Sequence, residues 1–312
     1  MITVYVDRRG SRIDSRGGRL YVEGPGAREG NLPLKVIERV VLTTAVDVTG
    51  RALAGLAAEG VPAVILGART QEAVAFVLGP AHKDATIRLG QALRAQDPSW
   101  CLQWARRLVR AKIRREQRWI RNALTAVPAK RYRLTGALRD LETCLGGVEE
   151  PADLDALRGL EGAAARAGFD ALAALVPADL RFNGRVRRPP PDPVNAALSL
   201  GATLLHFDAV RAAYGAGLDP FVGFYHRPAH GRASLACDLV EPVRPELNRW
   251  VWRRFADREL RPSHFGRTGD GVRLTKEGRA VFYPAYERFA KPWRRMLRRM
   301  AYGIARSVAD DA

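Results

Sequence analysis

The sequence of 312 residues is poor in cysteine, in lysine and in long apolar runs, and each shortage excludes a class of protein. Three scattered cysteines, Cys101, Cys144 and Cys237, are too few for a disulfide-stapled fold or a zinc knuckle, and they suit the reducing cytoplasm. No run reaches the roughly 18 apolar residues of a membrane span, and the first residues lack the charged-then-apolar pattern of a signal peptide. We therefore expect a cytoplasmic protein without a membrane partner.

Lysine supplies only 6 of the 51 basic residues and arginine the other 45, against 33 acids, so the net charge is +18. The guanidinium group is a planar fork that matches phosphate oxygens two at a time. A GC-rich genome would explain the choice of arginine over lysine, but it would not explain the excess of positive charge. The balance therefore favours a polyanionic partner, most often nucleic acid.

Two segments carry the whole excess, because residues 100–140 hold 12 basic and 2 acidic residues, and residues 244–299 hold 16 and 6. A mixed charge run is usually a solvated helix face, but here the acids that would pair with the cations are scarce. A phosphate backbone would relieve the repulsion. We expect nucleic-acid contacts from seven arginines of these segments: Arg107, Arg110, Arg114, Arg118, Arg244, Arg253 and Arg254.

The texture of the chain changes near residue 80. Before it, short runs rich in Val, Ile and Leu predict about six strands with one or two short helices, one of them capped by Thr49. After it, apolar periodicity predicts helices at roughly 84–96, 98–125, 134–144, 152–167, 170–178, 192–214, 235–260 and 275–308. We predict an α+β protein with a β-rich domain (residues 1–80), a linker and first helix (81–98), and a larger all-α domain (99–312).

The segment GFYHRPAHGRASLACDLVEPVRP, residues 223–245, has the residues most typical of a metal site. His226 follows an aromatic run, and Asp238 and Glu241 are three residues apart, so they share one face of a helix. Carboxylate oxygens with one imidazole suit Mg²⁺ or Mn²⁺ better than zinc, because no cysteine lies at zinc spacing. Acids that complement a helix dipole would explain the carboxylates but not the histidine. Pro242 disfavours regular helix at Glu241, and a kink there would turn Glu241 toward the site.

Glu161 lies among small residues in LRGLEGAAARAGF, residues 157–169, which let a ligand or another backbone approach closely. Taken alone, an exposed glutamate on a helix of good propensity is the more common explanation. His230 is a weaker candidate, either as a spare ligand or as a phosphate contact. The sequence has no GxSxG nucleophile turn and no Walker-type phosphate loop.

Four spaced blocks together resemble the CRISPR-associated protein one family, the metal-dependent DNA endonuclease and integrase of CRISPR adaptation. They are LRGLEGAAA, PDPVNAALSLGATLL, GLDPFVGFYHRPAHGRASLACDLVEPVRP and RLTKEGRAVFYPAYERF. The stretch LPLKVIERVVLTTAVDVTGRALAGLAAEGVPAVIL resembles the β-domain of the same family. Each block alone is a weak signal, but together they cover the chain nearly from end to end and are specific.

The resemblance implies a β-rich dimerisation domain followed by an all-helical catalytic and DNA-binding domain. By the family pattern, Glu161, His226 and Glu241 would hold Mg²⁺ or Mn²⁺, and Asp238 would stand beside them as a further catalytic acid. Many members have Asp where this chain has Glu241, so the reach of that carboxylate differs by one methylene. Members often have a second acid or a neutral residue at the position of Pro242.

The implied chemistry is transesterification, in which the 3′-hydroxyl of a captured duplex fragment, the spacer precursor, attacks a phosphodiester of the CRISPR repeat. A bound ion would polarise that phosphodiester and stabilise the leaving oxygen, and attack by water instead would cut the DNA. The family acts as homodimers that assemble with CRISPR-associated protein two. We therefore expect double-stranded DNA, a second copy and that small protein as partners.

Two other functions compete with the integrase. One is a metal-dependent nuclease on branched DNA that works outside adaptation. The other is a catalytically silent scaffold that binds nucleic acid through the basic surface. The presence of all four candidate site residues argues against the scaffold.

Overall fold

The computed structural model describes residues 2–25, 30–67, 73–80, 82–187, 189–269 and 271–309. The chain forms two compact units, residues 1–83 and 84–312. The first unit is β-rich and the second is mostly helical, which confirms the predicted α+β class. Ala81, at the start of the predicted linker, lies outside the described residues.

The described part of the first unit holds eight strands and one helix. Their bounds are β1 Ile2–Val6, β2 Arg12–Arg16, β3 Arg19–Glu23, β4 Gly30–Pro33, β5 Ile37–Thr43, β6 Asp47–Val48, α1 Gly50–Ala58, β7 Ala63–Leu66 and β8 Ala73–Val77. One sheet has the order β1-β5-β7-β8, with β5 parallel to both neighbours and β8 antiparallel to β7. The other has the order β4-β3-β2-β6 and is antiparallel except where β6 pairs with β2.

Helix α1 packs against β2 and supplies part of the apolar core of the first unit. Leu56 on α1 and Ile13 on β2 are both fully buried there. The helix begins after Thr49, whose hydroxyl accepts the backbone N–H of Ala52 at 3.1 Å, as the sequence predicted. This cap satisfies one of the amide groups that the first turn leaves without a partner.

The second unit is built from eight described helices and one hairpin. Their bounds are α2 Thr86–Ala95, α3 Pro98–Ala126, α4 Arg131–Gly146, α5 Leu154–Leu175, α6 Pro193–Gly215, α7 Ser234–Val240, α8 Arg244–Ala256, β9 Phe265–Thr268, β10 Gly271–Leu274 and α9 Lys276–Ala309. Helix α3 packs on α4, α5 and α8, while α9 packs on α2 and α6. Along the described residues, no helix is both long enough and apolar enough to cross a membrane.

Three details of the helical unit differ from the sequence-based expectation. The stretch predicted as two helices, 152–167 and 170–178, is the single helix α5. The predicted helix 235–260 is interrupted by a 3₁₀ turn at Glu241–Val243, which places the predicted irregularity at Pro242. The domain expected to be entirely α-helical also contains the hairpin of β9 and β10, two four-residue strands that pair antiparallel.

Candidate metal centre

Two carboxylates from distant parts of the chain converge on one ammonium group. Glu161 extends from α5, Glu241 from the 3₁₀ turn, and Lys112 from α3. The Nζ atom of Lys112 contacts Oε1 of Glu161 and lies 2.6 Å from Oε2 of Glu241. All three side chains are largely buried, so these charges stabilise one another in a poorly hydrated setting.

The second oxygen of Glu241 is held by the next turn of the chain. Arg244, at the start of α8, donates from Nε to Oε1 of Glu241 at 2.6 Å. Arg244 was predicted to contact DNA, but in the structure its guanidinium is committed to this carboxylate. The side chain of Glu241 therefore has a cation on each oxygen, and its direction is fixed.

The electrostatics keep this cluster charged. Burial alone would raise the pKa of Glu241, but the cations of Arg244 and Lys112 outweigh it and hold that pKa well below its ordinary value. Burial would lower the pKa of Lys112, and the carboxylates of Glu241 and Glu161 raise it instead. The carboxylate of Glu241 likewise raises the pKa of Arg244. Glu241 is therefore an anion at neutral pH, ready to bind a cation.

Asp238 organises the loop that carries the histidine. Its side chain is fully buried, and Oδ2 accepts the backbone N–H groups of Phe224 at 2.7 Å and Tyr225 at 3.0 Å. Oδ1 accepts the backbone N–H of His226 at 2.9 Å. The loop approaches α7 so closely that a Cβ atom on Gly223 would lie 2.7 Å from the carbonyl carbon of Ser234, the first residue of that helix. Asp238 thus acts as a positioning residue, because its buried oxygens are occupied by these groups.

The same carboxylate orients the imidazole of His226. Nδ1 of His226 lies 2.7 Å from Oδ1 of Asp238, which favours the tautomer with its proton on Nδ1. Nε2 then carries the lone pair, and it lies 4.0 Å from Oε1 of Glu241. The ring is 26% exposed, so Nε2 is accessible from the surface. A carboxylate behind a histidine that faces a second acid is the arrangement that supports a metal-binding imidazole.

The approach to Glu161 is open. The small residues that surround it in the sequence, Gly159 and Gly162, are exposed, and a Cβ atom at either would meet nothing within 4 Å. The side chain of Glu161 is 20% exposed. Whether that space admits a ligand beside Glu161 stays a prediction.

The donor atoms fit a hard divalent cation. Among the residues that the structure describes, no three His, Cys, Asp or Glu side chains stand in a coordinating arrangement. The ammonium of Lys112 instead lies between Glu161 and Glu241, and it shows that both carboxylates point at a single cationic position. Two carboxylates and the free nitrogen of His226 are ligands that Mg²⁺ and Mn²⁺ accept. Lys112 was not singled out by sequence reasoning; its only signal was a rare lysine in a helix full of arginines.

The seven predicted DNA-binding arginines fall into two groups. Arg107, Arg114 and Arg118 are exposed and lie along one stripe of α3. The other four have acidic partners: Arg110 with Glu149, Arg244 with Glu241, Arg253 with Asp257, and Arg254 with Glu259. The stripe on α3 is therefore the part of the prediction that leaves charge available to phosphates.

A second basic face, on α9, was not named from the sequence. It consists of exposed residues at helical spacing: Arg288, Lys291, Arg295, Arg298, Arg299 and Arg306. A shallow surface cavity of about 370 Å³ lies among Arg295, Arg298, Arg299, Tyr302 and Arg306. The spacing of these residues in the sequence carried the signal, because positions 288, 291, 295, 299, 302 and 306 share one side of a helix. His230, the spare ligand candidate, is exposed on the loop after His226.

Residues 4–288 match the family model described as CRISPR associated protein Cas1. A relative from Thermodesulfovibrio yellowstonii, named CRISPR-associated endonuclease Cas1 1, is 33% identical over 100% of this chain and 98% of its own length. Another from Rhodospirillum rubrum, named CRISPR-associated endonuclease Cas1 2, is 34% identical over 94% of this chain and 87% of its own.

Solved structures share the fold at lower sequence identity. A casposase bound to integration product matches with a TM-score of 0.88 and 20% identity, and the match covers 100% of this chain and 92% of the casposase. A Cas1 protein from Thermotoga maritima matches with a TM-score of 0.85 and 20% identity, over 99% of this chain and 97% of its own. A chain of a Cas6-RT-Cas1–Cas2 complex matches with a TM-score of 0.86 and 22% identity, over 99% of this chain and 35% of its own.

Proposed function

The chain belongs to the CRISPR-associated Cas1 family, and from that membership we propose how its helical unit cuts and joins DNA. As a member it is a CRISPR-associated endonuclease and integrase that depends on a divalent metal. The parts that we propose are the identity of the ion, the residues that hold it, the surfaces that bind DNA and the assembly.

One observation carries the proposal. Glu161 and Glu241, 80 positions apart in the sequence, point at one buried cation beside the imidazole of His226. Two acids and a lysine lose their hydration when they are buried, and hydrophobic residues of similar volume would stabilise the fold as well or better. The buried charges are therefore better explained by function than by stability. The convergence of two acids beside an oriented histidine is what a metal-dependent phosphodiester enzyme needs.

We propose that Glu161, His226 and Glu241 hold Mg²⁺ or Mn²⁺. When bound, the ion would act as a Lewis acid and stabilise negative charge at the reacting phosphodiester. Asp238 keeps the proton of His226 on Nδ1 and leaves Nε2 to bind. Arg244 holds the carboxylate of Glu241 in place. Lys112 neutralises the two acids, and its ammonium would compete with a divalent ion for them.

The reaction that this site serves joins a 3′-hydroxyl of a short duplex to a phosphodiester of the CRISPR repeat. In the described part of the chain, the imidazole of His226 bonds to Asp238, and the nearby hydroxyl of Ser234 donates to the backbone carbonyl of Arg227. This agrees with attack by the DNA hydroxyl or by water. Most of the acceleration then comes from holding both DNA ends in line at the site.

Duplex DNA is proposed to lie on the basic faces of α3 and α9. The α3 stripe, Arg107, Arg114 and Arg118, follows the same helix that carries Lys112 into the site. Exposed arginines without acidic neighbours bind phosphates and release counterions, and they read no base sequence. The two faces therefore provide affinity, while the position of the cut is set elsewhere.

The assembly that we propose has a second copy of this chain and CRISPR-associated protein two as partners. The β-rich first unit is the proposed dimerisation domain, as the family resemblance implies. A structurally similar chain belongs to a complex whose name includes Cas1 and Cas2, which supports the same kind of assembly here. The three cysteines are free, which suits the cytoplasm as the site of the reaction.

A nuclease on branched DNA outside adaptation would use the same site. A silent scaffold would not need the buried acids of Glu161 and Glu241, and it would keep its DNA affinity without them. An integration assay separates these three possibilities. It uses a supercoiled plasmid that carries a CRISPR array, a short duplex, Mn²⁺ and the partner protein.

We expect the wild-type protein to join the duplex to the array and Glu161→Ala to bind DNA normally without joining or cutting it. The matched control is Asp170→Asn, an exposed acid on the same helix, which should retain full activity. Cutting of branched DNA without joining would support the alternative nuclease. Binding by the wild type with neither reaction would refute both enzyme functions.

A further inference from the structure

A buried asparagine fixes the loop that precedes α6. Asn195, in the first turn of α6, is fully buried, and its Nδ2 donates to the carbonyl of Gly184 at 2.9 Å. Its Oδ1 accepts the backbone N–H of Val186 at 2.9 Å and NH1 of Arg185 at 3.0 Å. One side chain therefore sets the conformation of residues 184–186 and the direction of an arginine.

The guanidinium of Arg185 is held only by neutral acceptors. Besides Asn195, NH1 donates to the carbonyl of Val186 at 2.8 Å, and NH2 donates to Oγ of Ser199 at 3.1 Å. The acid that acts on Arg185 is Asp192, but both of its oxygens are occupied by Asn195. Within the described residues, this cation is ordered by hydrogen bonds and has no carboxylate in contact with it.

More positive charge surrounds it. Burial, and then the charges of Arg187 and Arg244, lower the pKa of Arg185 to about 10. Arg187 is exposed on the same loop, and its carbonyl accepts the hydroxyl of Ser199 at 3.4 Å. Arg244, whose charge acts on Arg185, also holds Glu241 at 2.6 Å, so this arginine links the cluster electrostatically to the candidate metal centre. Because Arg244 is already paired with Glu241, the charges without a described carboxylate in contact are those of Arg185, which is ordered, and of the exposed Arg187. An anion that reached both would relieve their repulsion.

We infer that Arg185 and Arg187 bind a non-reacting phosphate of the DNA strand held at the metal centre, close to the phosphodiester that reacts. The inference rests on the proposed function, because it supplies a second anchoring point for the same strand. The half-buried guanidinium group of Arg185 is a planar, charged donor of paired N–H groups, which suits two oxygens of one phosphate. Asn195 is the positioning residue for this subsite, since it aligns Arg185 before DNA arrives.

The test replaces one phosphate at a time in a short DNA by an uncharged methylphosphonate and measures the affinity with EDTA present. For the wild type we expect one linkage near the reactive position at which this replacement weakens binding by about tenfold. Arg185→Gln and Arg187→Gln should bind the unmodified DNA more weakly than the wild type does. A methylphosphonate at that linkage should not weaken their binding further. Arg139→Gln, an exposed arginine on α4, should keep the wild-type profile.

Arg187 is exposed, so its variant tests the subsite even if substitutions at the half-buried Arg185 impair folding. Asn195→Ala should lose the effect at the same single linkage, whereas loss of affinity spread evenly over all linkages would contradict a positioning role. Wild-type profiles in both arginine variants would overturn the subsite. Strand joining by the wild type with Mn²⁺ is scored separately, so failure of the subsite and failure of the proposed function give different results.

Discussion

The two units of the chain each bury an acid beside arginine, and only one of these acids lies in a reactive arrangement. In the first unit, Asp14 is almost fully buried. Its carboxylate accepts hydrogen bonds from Oγ1 of Thr49 at 2.7 Å and from NH2 of Arg51 at 2.6 Å. Hydrogen bonds from Arg51 and Thr49 hold its pKa well below the ordinary value. In the second unit, Glu241 has a similarly lowered pKa and a similar degree of burial.

The difference lies in what else is present. Asp14 pairs with Arg51 and with the exposed Arg16, which also lies 3.6 Å from Glu23. The bonds to Arg51 and Thr49 fasten β2 to the start of α1. Glu241 shares one ammonium with Glu161 and faces the free nitrogen of His226. A lowered pKa therefore marks ion pairing in both units, whereas the imidazole nitrogen of His226, 4.0 Å from Glu241, distinguishes the candidate metal centre.

The largest effect is expected from a pair of isosteric changes. Glu241→Gln should reduce joining and cutting of DNA at least about 10³-fold, because the site loses a ligand charge where phosphate charge develops. Asp14→Asn should lower the melting temperature and leave the rate per folded molecule unchanged. Single-turnover strand joining beside thermal unfolding measures both, and equal catalytic losses would contradict the comparison.

Lys112→Met should destabilise the metal-free protein by about 3–5 kcal/mol, because two buried acids lose their cation. Mn²⁺ should then raise the melting temperature of the variant more than that of the wild type, since the competing ammonium is gone. Thermal unfolding at several Mn²⁺ concentrations provides the measurement. The control Lys130→Met lies in the turn between α3 and α4 and should show the wild-type response. An unchanged response of Lys112→Met would count against Glu161 and Glu241 as ligands.

Glu116 on α3 is a buried acid of a different kind, because its Oε1 has no hydrogen-bond partner among the described residues. Burial raises its pKa from 4.5 to about 7, so the folded protein holds the proton more tightly than the unfolded chain does. Stability then falls as the pH rises from about 4.5 to about 7, by about 3 kcal/mol. Glu116→Gln should remove this pH-dependent loss. Relative to the wild type, the free energy of unfolding of the variant should be higher at pH 8 than it is at pH 4. Urea unfolding at both pH values tests it, and parallel pH profiles would be evidence against a neutral Glu116.

Asp238→Asn should have the smallest effect, about a 10–100-fold loss of metal affinity or activity, because the amide presents N–H where backbone N–H groups and Nδ1 need an acceptor. The dependence of strand joining on Mn²⁺ concentration measures the change. Asp219→Asn is the matched control in the same loop, since Asp219 accepts one backbone N–H, from Phe221 at 2.8 Å. A loss as large in the control would assign the effect to the loop as a whole.

Periodicity predicted the long helices well, because their apolar faces are buried in a simple pattern. On α3, for example, the apolar side chains of Leu108, Ile113 and Ile120 are buried. The break predicted within α5 was wrong for a tertiary reason: Gly168 leaves room for the side chain of Glu116, so the glycine serves packing within a continuous helix. The β9–β10 hairpin was missed because FGRT and GVRL are short and carry weak alternation.

The site was predicted in part. The local spacing of His226, Asp238 and Glu241 indicated a metal-binding chemistry. The small residues around Glu161 singled it out, and its role as a metal ligand came from the family resemblance. Lys112 could not be selected because a basic helix offers many equivalent cations, and only the fold shows which one meets the acids. The role of Asp238 was also hidden, since its partners are backbone amides that have no sequence signature.

The contacts of the candidate centre differ in the sequence separation of the residues that form them. The contact between His226 and Asp238 spans 12 residues, whereas Lys112 is separated from Glu161 by 49 residues and from Glu241 by 129. Closing a short loop costs less entropy and is faster than closing a long one. We therefore expect the contact between His226 and Asp238 to form early and locally during folding, and the two acids to meet Lys112 only when the helical unit is complete. On that order a partly folded chain would have its imidazole in place without the paired acids, and the proposed nuclease chemistry would wait for the last long-range contacts.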